Sequence, residues 1–265
     1  MTNLKQYKMF IGGEWVNSET KKTFKSLNPE NNEAWVEVPE ASAKDVDKAV
    51  KAAQKAFEGK WPNLFPKERA KYLKAIADQL RENSEILGKI ETIDTGKLFK
   101  ETKTQANYIA EYYDYYAGLA DKVEGTVLPI DKANMQVITT RVPIGVVAAI
   151  IPWNSQMLLT AVKLAPALAM GNTIVIKSSE LAPATLFEFA KLIEKTGIPK
   201  GVVNVVSGFG EPCGKALTTH KYVERIAFTG GPETARHIIK NSAENLSQVS
   251  LELGGKSPVA VFEDA

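Results

Sequence analysis

Three short strings hold the side chains with the clearest chemistry. In Ile151-Pro152-Trp153-Asn154, Asn154 follows an apolar run and precedes a helical pattern, where its amide can project into a cleft. A neutral N–H donor stabilises a developing oxyanion without forming a fixed ion pair in the ground state. Asn is also a preferred helix N-cap, and the local sequence accommodates both roles. In Lys177-Ser178-Ser179-Glu180, a carboxylate that can accept from both hydroxyls of a ribose stands beside an amine that can donate to them. The bland reading there is a solvated loop ahead of a helix opened by Pro183. In Leu251-Glu252-Leu253-Gly254-Gly255-Lys256, Glu252 ends an apolar strand. Partial desolvation at such a place raises a carboxyl pKa toward the range of a general base; the alternative is a strand-end Glu in water.

Two glycine-bearing loops accompany these strings. Gly208-Phe209-Gly210, with Gly214 further on, approaches a dinucleotide fingerprint, although the spacing G-x-G-x-x-x-G is a weak match and glycine for a turn explains it equally well. Phe228-Thr229-Gly230-Gly231 leads into a helix whose first turn is set by Pro232. Glycines at such a helix N-terminus let backbone amides approach a pyrophosphate. Lys163, in Lys163-Leu164-Ala165-Pro166-Ala167-Leu168, reads either as a lysine near the site or as one snorkelling from a core-facing helix. Cys213 reads as a small packing residue.

These residues need elements to position them. Met9-Phe10-Ile11 and Glu14-Trp15-Val16 flank Gly12-Gly13, a two-residue hairpin signal. From Ser42, apolar residues recur at three- and four-residue steps through Val46, Ala49, Val50, Ala53 and Phe57, and Ser42 with Asp45 makes a capping-box start. Helical patterns continue after Pro66, over 84–93 and over 99–119. The stretch 125–143, with its β-branched run 135–142, reads as a protruding hairpin. A regular alternation follows: strands over 144–151, 173–176, 202–206, 225–228 and 249–253, separated by helices over 156–170, 183–195, near 212–219 and 233–241. Strands apolar throughout and separated by helices imply a parallel sheet covered on both faces. The expected fold is α/β, a Rossmann-like doubly wound parallel sheet with an N-terminal helical region and a protruding β-hairpin. Ligands of such sheets lie beyond the C-terminal strand ends, where Asn154, Lys177, 207–210, 229–231 and 252–254 fall.

Composition narrows the function classes. With 265 residues, 44% hydrophobic and 24% charged, the chain resembles an ordinary globular protein. Its 33 basic and 31 acidic residues are interspersed, a pattern that asks for neither nucleic acid nor an anionic membrane. The start, Met1-Thr2-Asn3-Leu4, is polar rather than signal-like, and the longest apolar run, 144–151, is too short to span a bilayer. One cysteine points to a reducing, cytoplasmic setting, and two distant histidines, His220 and His237, give no metal cluster.

Taken in order, the Pro152-Trp153-Asn154, Lys177 to Glu180 and Glu252 to Lys256 strings resemble the NAD(P)-dependent aldehyde dehydrogenase superfamily, and the resemblance covers essentially the whole chain. It implies that Asn154 donates to the oxyanion of a thiohemiacetal, that Glu252 activates water to hydrolyse the resulting thioester, and that Lys163 helps relay protons. It implies cofactor contacts from Ile151, Pro152, Trp153, Asn154, Lys177, Ser179, Glu180, Gly210, Phe228, Thr229, Gly230, Gly231, Glu252, Leu253 and Gly254. Glu180 disfavours a 2′-phosphate by repulsion, so NAD is expected, with NADP possible. Glu252 favours a free carboxylic acid as product over transfer to coenzyme A. The sequence departs from the family pattern at Ser155-Gln156, where Phe-Pro is usual, at Gly231, where Ser or Thr is usual, and at Ala235, where Gly is usual. The first departure implies a different or more polar aldehyde pocket.

The family's nucleophilic Cys lies downstream of the Glu252 string, whereas Cys213 lies upstream. The expectation is therefore the N-terminal portion of an aldehyde-oxidising enzyme: a dinucleotide-binding domain over 1–124 and 144–254, an oligomerisation hairpin over 125–143, and the start of a catalytic domain over 255–265. This stretch alone is expected to be inactive, and the complete enzyme to form homo-oligomers. The rival is a noncatalytic short homologue that binds a dinucleotide or pairs with a full-length relative through the 125–143 hairpin.

Overall fold

The computed structural model describes residues 4–265. The polar start at Met1-Thr2-Asn3 lies outside the described residues. Strand β1 (Lys5–Gln6) is followed by β2 (Met9–Ile11) and β3 (Glu14–Val16), joined through Gly12 and Gly13 at φ +62° and +79°. These are the left-handed values that the two central positions of a tight hairpin turn require. Then come β4 (Thr23–Asn28) and β5 (Glu33–Pro39), a hairpin not expected from the sequence. β4 buries Ser26 and exposes Leu27, so its residues show no apolar alternation, and β5 is mixed in character; with β1 they form a separate three-stranded sheet.

Helices α1 (Ala43–Phe57), α2 (Pro66–Glu82), α3 (Ser84–Thr95) and α4 (Phe99–Leu119) occupy the expected helical region. The Ser42 hydroxyl accepts from the Asp45 amide and the Asp45 carboxylate accepts from the Ser42 amide, completing the capping box. Only β6 (Val127–Leu128) and β7 (Val137–Ile138) pair within the 125–143 arm. The β-branched run 135–142 thus yields a two-residue strand rather than a long one, because the arm is exposed and nothing packs on it to extend the ladder.

The alternation that follows is β8 (Val146–Ile150), α5 (Gln156–Ala169), β9 (Thr173–Lys177), α6 (Ala184–Lys195), β10 (Val203–Val206), α7 (Lys215–Thr218), β11 (Val223–Gly230), α8 (Pro232–Asn245) and β12 (Gln248–Leu253). The expected helix near 212–219 is instead an irregular turn over Gly210–Gly214 followed by the short α7. The main sheet has the order β12-β11-β8-β9-β10-β2-β3. Its first five strands are parallel, and the N-terminal hairpin extends it antiparallel to β10.

Alternate residues of the central strands feed opposite cores. Val147, Ala149, Ile174, Ile176, Val203 and Val205 join the core beneath α5 and α6, which is backed by α2 and α4. Val146, Ala148, Val175 and Val206 join the core beneath α1, α7 and α8. Burial on both faces explains why these strands read as unbroken apolar runs. The chain runs β8-β9-β10 outward in one direction and then returns to place β11 and β12 on the other side of β8. The crevice at that reversal is where ligands of doubly wound sheets bind.

Candidate active site

A cleft of about 1600 Å³ opens at this reversal. Its walls include Pro152, Trp153 and Asn154 after β8, Lys163 of α5, Phe228 to Gly231 at the end of β11, and Glu252 to Gly254 at the end of β12. Residues separated by a hundred positions thus face one space, because parallel strands place all their C-terminal ends on one edge.

Register orders the floor of the cleft. Arg225, Ala227 and Thr229 of β11 pair with Gln248, Ser250 and Glu252 of β12, so these side chains share the face on which α5 lies. Above them, Lys163 is 8% exposed and its Nζ donates to Thr229 Oγ1 at 2.7 Å and to the Leu159 carbonyl at 3.3 Å. Burial pushes the amine down to about 8, against the opposing pull of the Glu252 carboxylate. Lys163 is therefore drawn inward to the site and does not snorkel to bulk solvent. Glu252 corrects an expectation: it is exposed, because no element of this chain lies over the end of β12, so the anticipated partial desolvation is not provided by these residues.

Asn154 is exposed and lines the cleft, and the N-cap of α5 is Ser155. The capping role considered for Asn154 therefore falls to its neighbour. The Ser155 hydroxyl makes no cap bond and instead accepts from Lys97 Nζ at 2.6 Å. Ile151 is buried at 2%, and its amide donates to the Lys177 carbonyl, so its side chain belongs to the core.

A second group sits further along the same sheet edge, outside the cleft. Lys177, 5% exposed, donates from Nζ to Glu180 Oε2 at 3.3 Å and to the Ser178 carbonyl at 3.0 Å. Ser178 and Ser179 are also buried, and Ser179 Oγ accepts from the Leu181 amide, so the segment is a built turn and not a solvated loop. The Lys177 stem approaches Gly214, and Gly210 is exposed nearby in sequence. Cys213 between them is fully buried, and burial pushes its thiol up to about 12, which suits a packing residue.

An aldehyde dehydrogenase family model matches residues 15–265. The chain belongs to the aldehyde dehydrogenase family. It is 53% identical over 262 residues to a (Z)-2-((N-methylformamido)methylene)-5-hydroxybutyrolactone dehydrogenase of Acinetobacter baylyi, covering 98% of this chain and 53% of that protein. It is 44% identical over 260 residues to a betaine aldehyde dehydrogenase of Bacillus subtilis, covering 97% of this chain and 53% of that protein. Among solved structures, a betaine aldehyde dehydrogenase from Staphylococcus aureus in complex with NAD+ superposes with a TM-score of 0.93 at 40% identity, over 97% of this chain and 52% of that one. The chain thus spans about half the length of the curated relatives it matches.

Within this aldehyde dehydrogenase chain, Thr229, expected from the resemblance as a cofactor contact, also places its hydroxyl as the partner of Lys163, which no local pattern marks. Arg141, Arg225 and Tyr112 also line the cleft, and nothing local marks them. Glu91, buried on α3 beside the loop that carries Lys97, was missed although a signal existed: Leu87, Glu91 and Asp94 share a buried helical face, where a carboxylate is out of place. Among the described residues there is no cluster able to hold a metal ion, and no helix long and apolar enough to cross a membrane.

Proposed function

We propose that this chain is the cofactor-binding part of an NAD-dependent enzyme that oxidises an aldehyde to a free carboxylic acid. The observation that carries the reading is the convergence of Asn154, Lys163, Thr229 and Glu252 on one cleft at the sheet's reversal point. The surroundings fit a dinucleotide. At Gly231 and Gly254 an added Cβ would meet open space, so a ligand can approach the backbone closely there, although the Gly254 amide already donates to the Gly230 carbonyl. The N-terminus of α8, a 14-residue helix, begins at Gly231 with no side-chain cap, which leaves donors for a pyrophosphate. The Lys177–Glu180 pair offers a donor and an acceptor to a ribose, and the Glu180 charge favours NAD over NADP.

Bound in this cleft, NAD would supply the acceptor for the hydride. A cysteine thiolate adds to the aldehyde carbon, and Asn154 donates to the oxygen that gains the charge. Glu252 would take a proton from the water that hydrolyses the thioester formed on that cysteine. Lys163, held on Thr229 beside Glu252, is placed to pass that proton on. Cys213 does not fit the nucleophile's part, being buried, so the reading assigns that part to a thiol outside these residues, whose surrounding structure would also desolvate Glu252. The aldehyde dehydrogenase relatives that extend beyond the matched span support this division. The exposed 125–143 arm suits strand pairing between subunits of a homo-oligomer.

The intact mass of the protein from its native cell, together with NADH formation from a panel of aldehydes, tests the proposal. A native polypeptide well above this chain's mass that reduces NAD with aldehyde is the expected result. Turnover by the 265 residues alone would overturn the division of labour. A native mass equal to this chain, with NAD binding and no turnover, would establish the noncatalytic alternative.

A further inference from the structure

We infer that Lys97, anchored by the buried carboxylate of Glu91, is a positioning residue that holds the Asn154 loop through the hydroxyl of Ser155. The inference rests on the reading of Asn154 as the oxyanion donor. Ser is a favoured N-cap, and Ser155 occupies that position on α5 with φ −160° and ψ 68°, yet its hydroxyl caps nothing. The hydroxyl is engaged elsewhere, accepting from Lys97 Nζ at 2.6 Å across 58 positions of sequence.

Lys97 stands in the connection between α3 and α4, directly after Gly96, which closes α3 in the left-handed conformation at φ +77°. A lysine in a surface connection ordinarily extends into water. This one is turned inward, and the reason lies on α3. The Glu91 side chain is fully buried, neither of its oxygens has a hydrogen-bond partner among the described residues, and Lys97 Nζ lies 3.8 Å from Oε1. Burial pushes the Glu91 carboxyl up to about 7 against the opposing pull of Lys97, so this cation is what favours its charged form. Lys97 answers that demand from one side and delivers its hydrogen bond to Ser155 on the other.

Ser155 adjoins Asn154 in the chain, so fixing its side chain limits how the Asn154 backbone can swing. An oxyanion donor is effective only if it is aimed before charge develops. The helical region thereby sets the geometry of a loop in the nucleotide-binding sheet, through one amine.

Hydrogen exchange of the 265-residue chain, followed by mass spectrometry, tests this directly. Lys97→Met is expected to accelerate exchange over 151–159 by about tenfold or more while peptides from β9 keep their rates. Lys97→Arg, which retains a donor and a charge, is expected to restore protection, and Ser155→Ala to reproduce the loss without touching the charge pair. Should Lys97→Met unfold the whole chain, Ser155→Ala decides the matter alone. Unchanged exchange over 151–159 in Ser155→Ala, or a Lys97→Arg chain as unprotected as Lys97→Met, would overturn the inference. In the enzyme that turns over aldehyde, Lys97→Met should lower kcat by about tenfold at unchanged KM for NAD, and an unaltered kcat would count equally against it. Absence of aldehyde oxidation in the native enzyme would remove the functional reading, while the exchange result would still decide whether Lys97 holds the loop.

Discussion

Lys163 Nζ lies 2.7 Å from Thr229 Oγ1, and Thr229 stands in register beside Glu252. One hydrogen bond therefore ties α5 to the end of β11, the strand paired with β12, at the point where the sheet reverses direction. It also keeps a cation in a place where burial opposes its charge.

That opposition sets a pH dependence. The Lys163 amine titrates at about 8 in the folded chain against the ordinary 10.5, so between those values the unfolded chain holds more protons and stability rises with pH. The penalty is complete below the folded value and is relieved across this window. Lys163→Met removes the titrating group, so its stability advantage over the parent should shrink by about 2 kcal/mol between neutral pH and the upper end of the window. Urea midpoints of both proteins at several pH values measure this, and a pH-independent difference would contradict it.

Glu180 governs cofactor choice if the ribose lies at the Lys177–Glu180 pair. Glu180→Gln keeps the size and removes the charge that repels a 2′-phosphate. The ratio of NADP to NAD affinity should rise about fivefold, a modest change because the carboxylate is partly solvated. Titration of the chain with each dinucleotide, followed calorimetrically, reads the ratio directly.

At Gly231 the backbone is extended at φ −79° and ψ 153°, and an added Cβ meets nothing within 4 Å. Gly231→Ser should leave the denaturant midpoint in place and add a hydroxyl at the open end of α8. Dinucleotide affinity is expected to improve by about two- to tenfold, the worth of one net hydrogen bond. A weaker complex would show that the ligand passes too close to this loop for any side chain.

The α3–α4 interface tolerates no such addition. A Cβ at Gly88 would sit 2.8 Å from the Lys103 amide nitrogen, which is backbone and cannot turn aside. Gly88→Ala should destabilise the fold by about 1–3 kcal/mol, because the two helices must separate to admit the methyl group. Chemical denaturation would show this, and a stability equal to the parent would mean that the helices slide apart freely.

Local signals carried far where one physical cause acted alone. The capping box at Ser42 and Asp45 and the Gly12-Gly13 turn were legible because each depends on neighbouring residues. The strands β8, β9 and β10 were legible because burial on both faces demands nearly unbroken apolar runs. The β4–β5 hairpin was not, since β4 turns polar Ser26 inward and apolar Leu27 outward, against the period that would reveal it. The run 135–142 misled in the opposite sense, as β-branched residues favour a strand only where a partner and a packing surface exist.

The sequence by itself determined the N-terminal hairpin, the helices of the helical region, the alternating strands and helices of the main sheet, the family strings and the strand ends on which Asn154, Lys177, Thr229 and Glu252 would fall. Those properties follow from periodicity and from residue chemistry at adjacent positions. Tertiary structure alone decided that the N-terminal hairpin extends the main sheet, that Lys163 seeks Thr229, that Glu252 remains exposed, and that Lys97 occupies the hydroxyl of Ser155. Each of these joins side chains distant in sequence, and its energy depends on which groups share a desolvated space, a quantity that no local pattern records.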